Sequence, residues 1–495
     1  MRTSGNGAGN GGPALRITNP TGRIPALSQF REPRSHSSLQ DHWCGGRRIR
    51  CRCSRSFPLF PAAPIRVFRR RPGAAEVTAL SCPPPVVRRA REGGSRVPGI
   101  PNGGGRLGMA ATAEPALDET RGAGRWYRRD PLGYVEWARR ERGPVFRLPD
   151  DGSLCVADPD EAARVLHDGE GRYDDVSDFF HVPGGRLEPR AAQLAIGRAA
   201  RRTLRLHLEA SRDRLPALAA ALGETSEWPA AGRDLTHRFL AGALLRPGSP
   251  PGLRALMEHV VRRDVLIRPP GAVAAVARRL LWARVVRAIA AEAAARRGRP
   301  PHDGPGDLLD AVLGAAPPGT PASHVAHVYL LLFRTSVAPV GHVVAWALLA
   351  AAAGGVDLAE VPAEAAVRES LRLWPAAWLL GRPVRRAHEV AGVRLAPGES
   401  VSVCVYLLHR DERHWPEADR FRPDRWDGAE PRGPYLPFGG GPFTCAGAAV
   451  AQSLATGLLS ALTAGARLSV LGGGGRPHVA GIITPPPFRL RRVPR

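Results

Sequence analysis

Phe438-Gly439-Gly440-Gly441-Pro442-Phe443-Thr444-Cys445-Ala446-Gly447 is the stretch with the strongest local signal in this chain of 495 residues. Apolar residues at spacings of three and four follow it at once, which predicts a helix that begins directly after Cys445. Free backbone N–H groups and the dipole at a helix N-terminus favour a thiolate over a thiol. The glycines let a flat molecule approach the backbone closely. Cys445 is therefore a candidate metal ligand, and the alternative is an inert buried cysteine beside a glycine turn.

From Met109 onward the chain has a mainly helical pattern with a few strands. Hydrophobic residues make up 43% of the whole chain and charged residues 23%, which suits a globular protein with a sizeable core. Helical spacing predicts helices over 158–167, 191–209, 213–223, 252–263 and 272–297. Strand signals lie at 144–148, 153–157, 383–386, 390–395 and 400–407. The predicted fold class is mainly α with small β-sheets.

A long apolar run from Val325 to Ala353 predicts one central helix. At about 1.5 Å per residue it would be about 40 Å long and could cross the whole domain. Arg334 argues against a membrane span, because a charge at mid-bilayer is costly. Pro339 should kink the helix. We therefore expect a buried helix of a soluble protein, with no membrane association.

Residues 1–108 differ in composition from the rest of the chain. They are rich in Arg, Pro, Gly and Ser, and they hold 19 arginines against four acidic residues, so they carry +15 of the net +25. Such a segment cannot bury enough apolar surface to fold, and we expect a disordered extension. Met109 is a candidate true start, which would leave 109–495 as the folded domain. Nucleic-acid binding is not expected, because the extension lacks aromatic interleaving and a zinc-ligand spacing.

The seven cysteines do not indicate a disulfide scaffold. Four lie in the basic extension without the C-x2-C spacing of a metal site, and only Cys155, Cys404 and Cys445 lie in the rest of the chain. No secretory signal is recognisable, since Gly, Pro and Arg interrupt every apolar run near the start. A cytoplasmic protein is expected.

The glycine-rich stretch resembles the haem loop of the cytochrome P-450 family, Phe-x-x-Gly-x-Arg-x-Cys-x-Gly. It matches at Phe438, Gly441, Cys445 and Gly447, whereas Phe443 stands where the family has an Arg or His in contact with a haem propionate. The resemblance implies the cytochrome P-450 fold, with a long central helix over haem b. It also implies that Cys445 is the axial iron ligand and that Phe438 and Gly441 lie beside the haem.

Further segments resemble the family in the same order, so that the resemblance extends from about Arg125 to Arg495. Glu369-Ser370-Leu371-Arg372 is similar to its Glu-x-x-Arg pair. The segment from Ala418 to Trp426 resembles a later motif, whose first arginine is here Arg420. The resemblance implies that Glu369, Arg372 and Arg420 form a buried structural network of one carboxylate and two guanidinium groups.

Three arginines are candidates for contact with the haem propionates. Arg382, in Gly381-Arg382-Pro383-Val384, resembles an arginine that the family carries on a strand. Arg198 and Arg202 lie one helical turn apart and are candidates for the other propionate, while a solvated arginine face fits them equally well.

The central helix departs from the family's usual pattern. Counting back from Glu369 by the family's usual separation reaches Arg334-Thr335, where Thr335 fits an alcohol that takes part in proton delivery and Arg334 replaces an acid. This replacement resembles the family's peroxygenase branch, in which a helix arginine holds a substrate carboxylate and hydrogen peroxide supplies the oxygen. The longer haem-loop insertion of that branch is absent. The alternative is a structural role, in which Arg334 pairs with a propionate or a local acid.

Apolar residues from three segments are the expected substrate contacts. They are Phe333 on the central helix, Ala376, Ala377, Trp378 and Leu379 before the strand arginine, and Ile482 and Ile483 near the C-terminus.

The resemblance implies a monomeric monooxygenase that inserts one oxygen atom from O2 into an apolar small molecule, such as a specialised metabolite. Ferredoxin and ferredoxin reductase would supply the electrons. Two alternatives remain open. One is peroxide-driven hydroxylation, and the other is a haem-binding protein with little oxygenase activity, which Phe443 and the missing helix acid would allow.

Overall fold

The computed structural model describes residues 121–175, 177, 179–263, 272–298, 306–427 and 433–495. The extension over residues 1–108 and the candidate start at Met109 lie outside the described residues. Within the described part the helices are α1 Arg121–Arg129, α2 Pro131–Arg142, α3 Pro159–His167, α4 Arg190–Ser211, α5 Leu215–Ala220, α6 Ala230–Leu244, α7 Pro251–Arg262, α8 Ala272–Arg297, α9 Leu308–Ala315, α10 Ala322–Gly354, α11 Ala363–Leu373, α12 Val405–Leu408 and α13 Ala448–Thr463.

The strands are short and form small sheets at the edges of the helical body. They are β1 Val145–Arg147, β2 Leu154–Val156, β3 His181–Val182, β4 Gly185–Arg186, β5 Thr225–Trp228, β6 Leu379–Pro383, β7 His388–Val390, β8 Val393–Leu395, β9 Ser400–Cys404, β10 Ala466–Gly472, β11 His478–Val479, β12 Ile483–Thr484 and β13 Phe488–Pro494. The largest sheet has the order β1-β2-β9-β6, in which β2 and β9 are parallel. The prediction of a mainly α fold with small sheets is confirmed.

Local capping explains where several helices begin. Asp158 caps α3 by accepting hydrogen bonds from the backbone N–H groups of Asp160 and Glu161, and Pro159 occupies the first helical position. Asp307 and Asp310 form a reciprocal capping box at the start of α9. These side chains satisfy backbone donors that the first turn of a helix leaves without partners.

The central helix α10 lies in the middle of the core. By length and apolar composition it could cross a membrane, yet 78% of its most apolar window is buried inside the protein. It packs against α6, α8, α11 and α13. At its contact with α6, a Cβ atom added to Gly341 would lie 2.6 Å from the carbonyl carbon of Gly232, so neither glycine leaves room for a side chain.

The strand predictions near the C-terminal half need two corrections. The strand predicted at 383–386 overlaps β6 only at Pro383, and beyond it Val384 donates to the carbonyl oxygen of Glu399 and forms an isolated bridge with Tyr173. The strand predicted at 400–407 ends at Cys404, and Val405 to Leu408 form the short helix α12 instead. The helix predicted at 272–297 has the bounds of α8.

Candidate functional site

The loop before α13 is closed by its own backbone and by contact with α3. The N–H group of Cys445 donates to the carbonyl oxygen of Phe438 over 2.9 Å. Gly441 has a φ of 63°, and a Cβ atom there would lie 2.3 Å from the carbonyl oxygen of Leu166 at the end of α3. Only glycine fits this position, both for its backbone conformation and for the close approach.

Cys445 is the exposed one of the three described cysteines, while Cys155 and Cys404 are buried. Protein atoms around the sulfur desolvate it and raise the pKa of the Cys445 thiol, and hydrogen bonds from the backbone N–H groups of Gly447 and Ala448 oppose this rise. The helix terminus by itself therefore does not make Cys445 a thiolate. A bound metal cation would supply the positive charge that deprotonates it.

A buried carboxylate connects the helix α11 to the segment before the loop. Glu369 accepts from Nε and Nη2 of Arg372 over 3.0 and 2.8 Å, and both side chains are fully buried. Arg425 Nε and Trp426 Nε1 each donate to the same carboxylate over 3.1 Å, and the backbone N–H group of Arg422 donates over 3.0 Å. The predicted pairing of Glu369 with Arg372 is thus present, in a network of four donor residues.

The prediction that Arg420 completes this network is wrong. Its side chain is 73% exposed and pairs with Glu417, and only its carbonyl oxygen takes part, by accepting from Arg372 Nη2. Arg425 provides the second guanidinium group instead, with 10% of its side chain exposed. The turn over Pro423–Trp426 directs Arg425 and Trp426 inward, and the sequence motif contains both arginines at a separation of five residues.

His409 links the network to the cysteine loop, a role that the sequence did not indicate beyond its place in His409-Arg410-Asp411. Its Nδ1 contacts the carbonyl oxygen of Arg372 at 2.9 Å, and its Nε2 accepts from the N–H group of Leu436 at 2.7 Å. Because Nε2 is an acceptor, the proton lies on Nδ1. Burial lowers the pKa of His409 to about 3, so this neutral tautomer persists at neutral pH.

Arg382 lies beside the cysteine loop, and its predicted contact with a haem propionate stays a prediction. It is buried, its guanidinium group lies over the rings of Phe443 and Tyr173, and its Nη1 donates to the carbonyl oxygens of Val165 and Leu166. Arg198 and Arg202 are exposed on α4. Exposure fits the alternative of a solvated arginine face, and their predicted contact with a propionate stays a prediction.

The three predicted residues of the central helix point in different directions. Phe333 is 1% exposed and its ring packs against His237 of α6, so it lies in the core, and its predicted substrate contact stays a prediction. Arg334 is half-buried, and its guanidinium carbon lies 5.8 Å from the ring centre of Trp282 on α8. Thr335 is exposed, and its hydroxyl donates to the carbonyl oxygens of Leu331 and Leu332.

The other predicted substrate contacts do come together. The N–H group of Ile483 donates to the carbonyl oxygen of Ala376 over 3.3 Å, and Trp378 Nε1 reaches the carbonyl oxygen of Ala480 at 3.4 Å. Trp378 and Ile483 are buried, whereas Ala377, Leu379 and Ile482 are half-buried. The half-buried residues are the ones with surface left for a ligand.

In the part of the chain that the structure describes, no three His, Cys, Asp or Glu side chains are grouped as a metal site. A ligand set made wholly of protein side chains is therefore not found among them. A prosthetic group that brings its own ligands and takes one from the protein suits Cys445. The glycines of the loop and the single exposed thiol fit a haem. Phe443 does not fit, because it stands where the haem loop of the cytochrome P-450 family has an Arg or His.

Comparison with known proteins agrees with this class of site. Residues 357–462, which contain α11, the Glu369 network and the Cys445 loop, match the family model described as Cytochrome P450. Cyclooctatin synthase of Streptomyces melanosporofaciens is 39% identical over 132 residues, which are 26% of this chain and 29% of that relative. The chain thus matches less than a third of the length of this curated relative.

Two solved structures share the fold over most of their length. P450BioI, in complex with an acyl carrier protein ligated to hexadec-9Z-enoic acid, has a TM-score of 0.60 at 15% identity, covering 74% of this chain and 99% of that one. HmtN, described as a post-tailoring hydroxylase involved in himastatin biosynthesis, has a TM-score of 0.58 at 21% identity, covering 73% and 97%. The fold is the one that these solved cytochrome P450 structures share, and the match of residues 357–462 to the Cytochrome P450 model agrees with it.

Proposed function

We propose that this chain is a haem b-dependent monooxygenase that inserts one oxygen atom from O2 into an apolar small molecule. The observation that carries the proposal is the Cys445 thiol, exposed at the start of α13 on a loop whose backbone only glycine can adopt. When bound, a thiolate-ligated haem supplies oxygen activation, since the thiolate increases electron density at the iron. Ferredoxin and ferredoxin reductase would supply the electrons.

The chain's own residues position this chemistry. The N–H groups of Gly447 and Ala448 donate toward the Cys445 sulfur and would stabilise its negative charge. The buried Glu369 network and His409 hold the loop against α11. Thr335 donates its proton to the helix backbone, which leaves the lone pairs of its oxygen as acceptors. No acid accompanies Thr335, because its neighbour is Arg334.

A specialised metabolite is the proposed substrate class. The half-buried residues Ala377, Leu379 and Ile482 are apolar, which suits a substrate with little polar surface. The similarity to cyclooctatin synthase and to a hydroxylase involved in himastatin biosynthesis supports this class for the present chain.

A turnover comparison on the full-length holoprotein tests the function. We expect product from an apolar substrate with NAD(P)H, ferredoxin and ferredoxin reductase under air, and none when oxygen is removed. The candidate substrates are those that shift the haem spin state in a metabolite screen. Product formation with hydrogen peroxide alone would favour the peroxygenase alternative. No product under either condition would favour a haem-binding protein with little oxygenase activity.

The surroundings of Arg334 favour a second candidate, in which the substrate carries a carboxylate. Burial and the like charge of Arg278 on α8 both lower the pKa of Arg334. The guanidinium groups of Arg334 and Arg278, together with the ring of Trp282, form a positively charged site where the central helix packs against α8. A substrate carboxylate bound there would relieve the repulsion, and peroxide would then be the oxidant.

We predict that Arg334→Gln retains the haem spectrum but weakens binding of carboxylated ligands by roughly 1.5–3 kcal/mol, as for a charged hydrogen bond. Spectral titration with a fatty acid and with its neutral alcohol measures this difference. Arg279→Gln, an exposed arginine on α8, is the matched control and should bind like the wild type. Equal affinities of Arg334→Gln and wild type for the acid would refute the anchoring role, and loss of haem would favour a propionate contact.

A further inference from the structure

Two arginines lie on the ring of Phe443, the residue that replaces the family's basic side chain. The guanidinium carbon of Arg190, the first residue of α4, is 3.9 Å from the ring centre. That of Arg382, on β6, is 4.3 Å from the same centre. Arg190 Nη2 also donates to the carbonyl oxygen of Pro442 over 2.5 Å, so it is tied to the cysteine loop.

Carboxylates lie near the two cations on this ring, but none of the described ones forms a hydrogen bond with either guanidinium group. The carboxylate of Asp168 lies 3.6 Å from Arg382, and it already accepts from the backbone N–H groups of Arg172 and Tyr173. Among the described residues, no carboxylate forms an ion pair with Arg190, and the more distant charge of Asp175 opposes the lowering of its pKa by burial. Burial lowers the pKa of Arg382, the charge of Asp168 opposes this, and the nearby charge of Arg190 lowers the pKa further.

The guanidinium group of Arg382 has one N–H donor without a hydrogen-bond acceptor in the described part of the chain. Its side chain is 7% exposed, and its buried Nε has no hydrogen-bond partner among the described residues. Its Nη atoms donate only to backbone carbonyl oxygens, at 3.3 to 3.4 Å, and Nη2 forms the longer ion pair with Asp168 at 3.6 Å. A buried donor without an acceptor is costly, so the arrangement suits an additional anionic acceptor.

We propose that Arg190 and Arg382, both stacked on Phe443, bind a haem propionate in place of the basic side chain that the loop lacks. The inference rests on the proposed haem-binding function. Stacking on an aromatic ring fixes the plane of each guanidinium group, which then presents paired N–H donors to a carboxylate. Phe443 thus positions Arg190. From α4, Arg190 makes the propionate contact that a basic residue of the cysteine loop would otherwise make.

Haem release from the full-length holoprotein to excess apomyoglobin tests the proposal, because it measures haem retention without turnover. We expect Arg190→Gln to release haem roughly tenfold faster than the wild type, the loss of one charge-assisted hydrogen bond. Arg201→Gln, an exposed arginine on the same helix, should release haem at the wild-type rate. Far-UV circular dichroism and the melting temperature of the variants show whether the fold is retained.

A swap of the basic residue back to the loop provides the second arm. Phe443→Arg alone should also release haem faster, because it removes the ring that positions Arg190 and adds a third cation beside Arg190 and Arg382. The double variant Phe443→Arg with Arg190→Gln should recover most of the wild-type retention. Wild-type release rates in Arg190→Gln, or slower release in Phe443→Arg than in the double variant, would overturn the inference. Absence of haem from the wild type would instead overturn the proposed function.

Discussion

Replacing Cys445 by alanine is expected to abolish the absorption band at about 450 nm of the reduced protein with carbon monoxide bound. That band reports a thiolate ligand on haem iron. Cys445 is the described cysteine that solvent reaches, and backbone N–H groups donate toward its sulfur. No neighbouring side chain of the loop could take its place, since Thr444 donates its hydroxyl to the carbonyl oxygen of Gly441.

Cys155→Ala and Cys404→Ala are the matched controls. Both cysteines are 0% exposed, on the adjacent strands β2 and β9, and burial together with the neighbouring Cys404 raises the pKa of the Cys155 thiol. We expect both variants to keep the band at about 450 nm, with at most a loss of packing energy. Persistence of the band in Cys445→Ala, or its loss in either control, would show that the ligand is assigned to the wrong residue.

Replacing Glu369 by alanine is expected to reduce the free energy of unfolding by about 3–5 kcal/mol, as when one partner of a buried ion pair is removed. The variant would leave the Arg372 guanidinium group buried without its carboxylate, and it would remove the acceptor of Arg425 and Trp426. Denaturant unfolding of the full-length protein, followed by tryptophan fluorescence, measures the change. Retention of wild-type stability would contradict this network.

Arg425→Ala and Arg420→Ala form a matched pair that tests which arginine belongs to the network. Arg425 donates to the buried carboxylate, so its loss should destabilise the fold by about 1.5–3 kcal/mol. Arg420 forms an exposed pair with Glu417, so its loss should cost at most about 1 kcal/mol. The opposite order of effects would restore the assignment made from the sequence motif.

This assignment shows where sequence reasoning ends. The Glu369 and Arg372 pair could be predicted because a spacing of three on a helix leaves the two side chains adjacent. Arg420 and Arg425 lie in an irregular segment, where a single turn decides which side chain faces inward. Hydrogen bonds from the N–H groups of Arg425 and Asp427 to the carbonyl oxygens of Arg422 and Asp424 form that turn, and no periodic pattern in the sequence predicts it.

The central helix shows a second limit. The length of the apolar run in the sequence predicts that this helix exists and roughly where it begins and ends. It does not predict which side chains face which neighbouring helix, because a helix that is apolar on nearly all sides has no distinct face. Phe333 therefore packs against α6 while its neighbour Arg334 lies over α8. Arg190 was missed for a different reason. It is distant in sequence from Phe443, and only the fold brings the first turn of α4 to the cysteine loop.

The glycine contact between α6 and α10 has a mechanical consequence. With the carbonyl carbon of Gly232 only 2.6 Å from where a Cβ of Gly341 would be, the two backbones touch without side chains between them. Such a junction has no rotatable groups that could yield, so it acts as a rigid joint. The contact of α10 with α8, in contrast, includes long side chains such as Arg334 and Trp282, which can change rotamer. We therefore expect α8 to move relative to the central helix α10 more easily than α6 does.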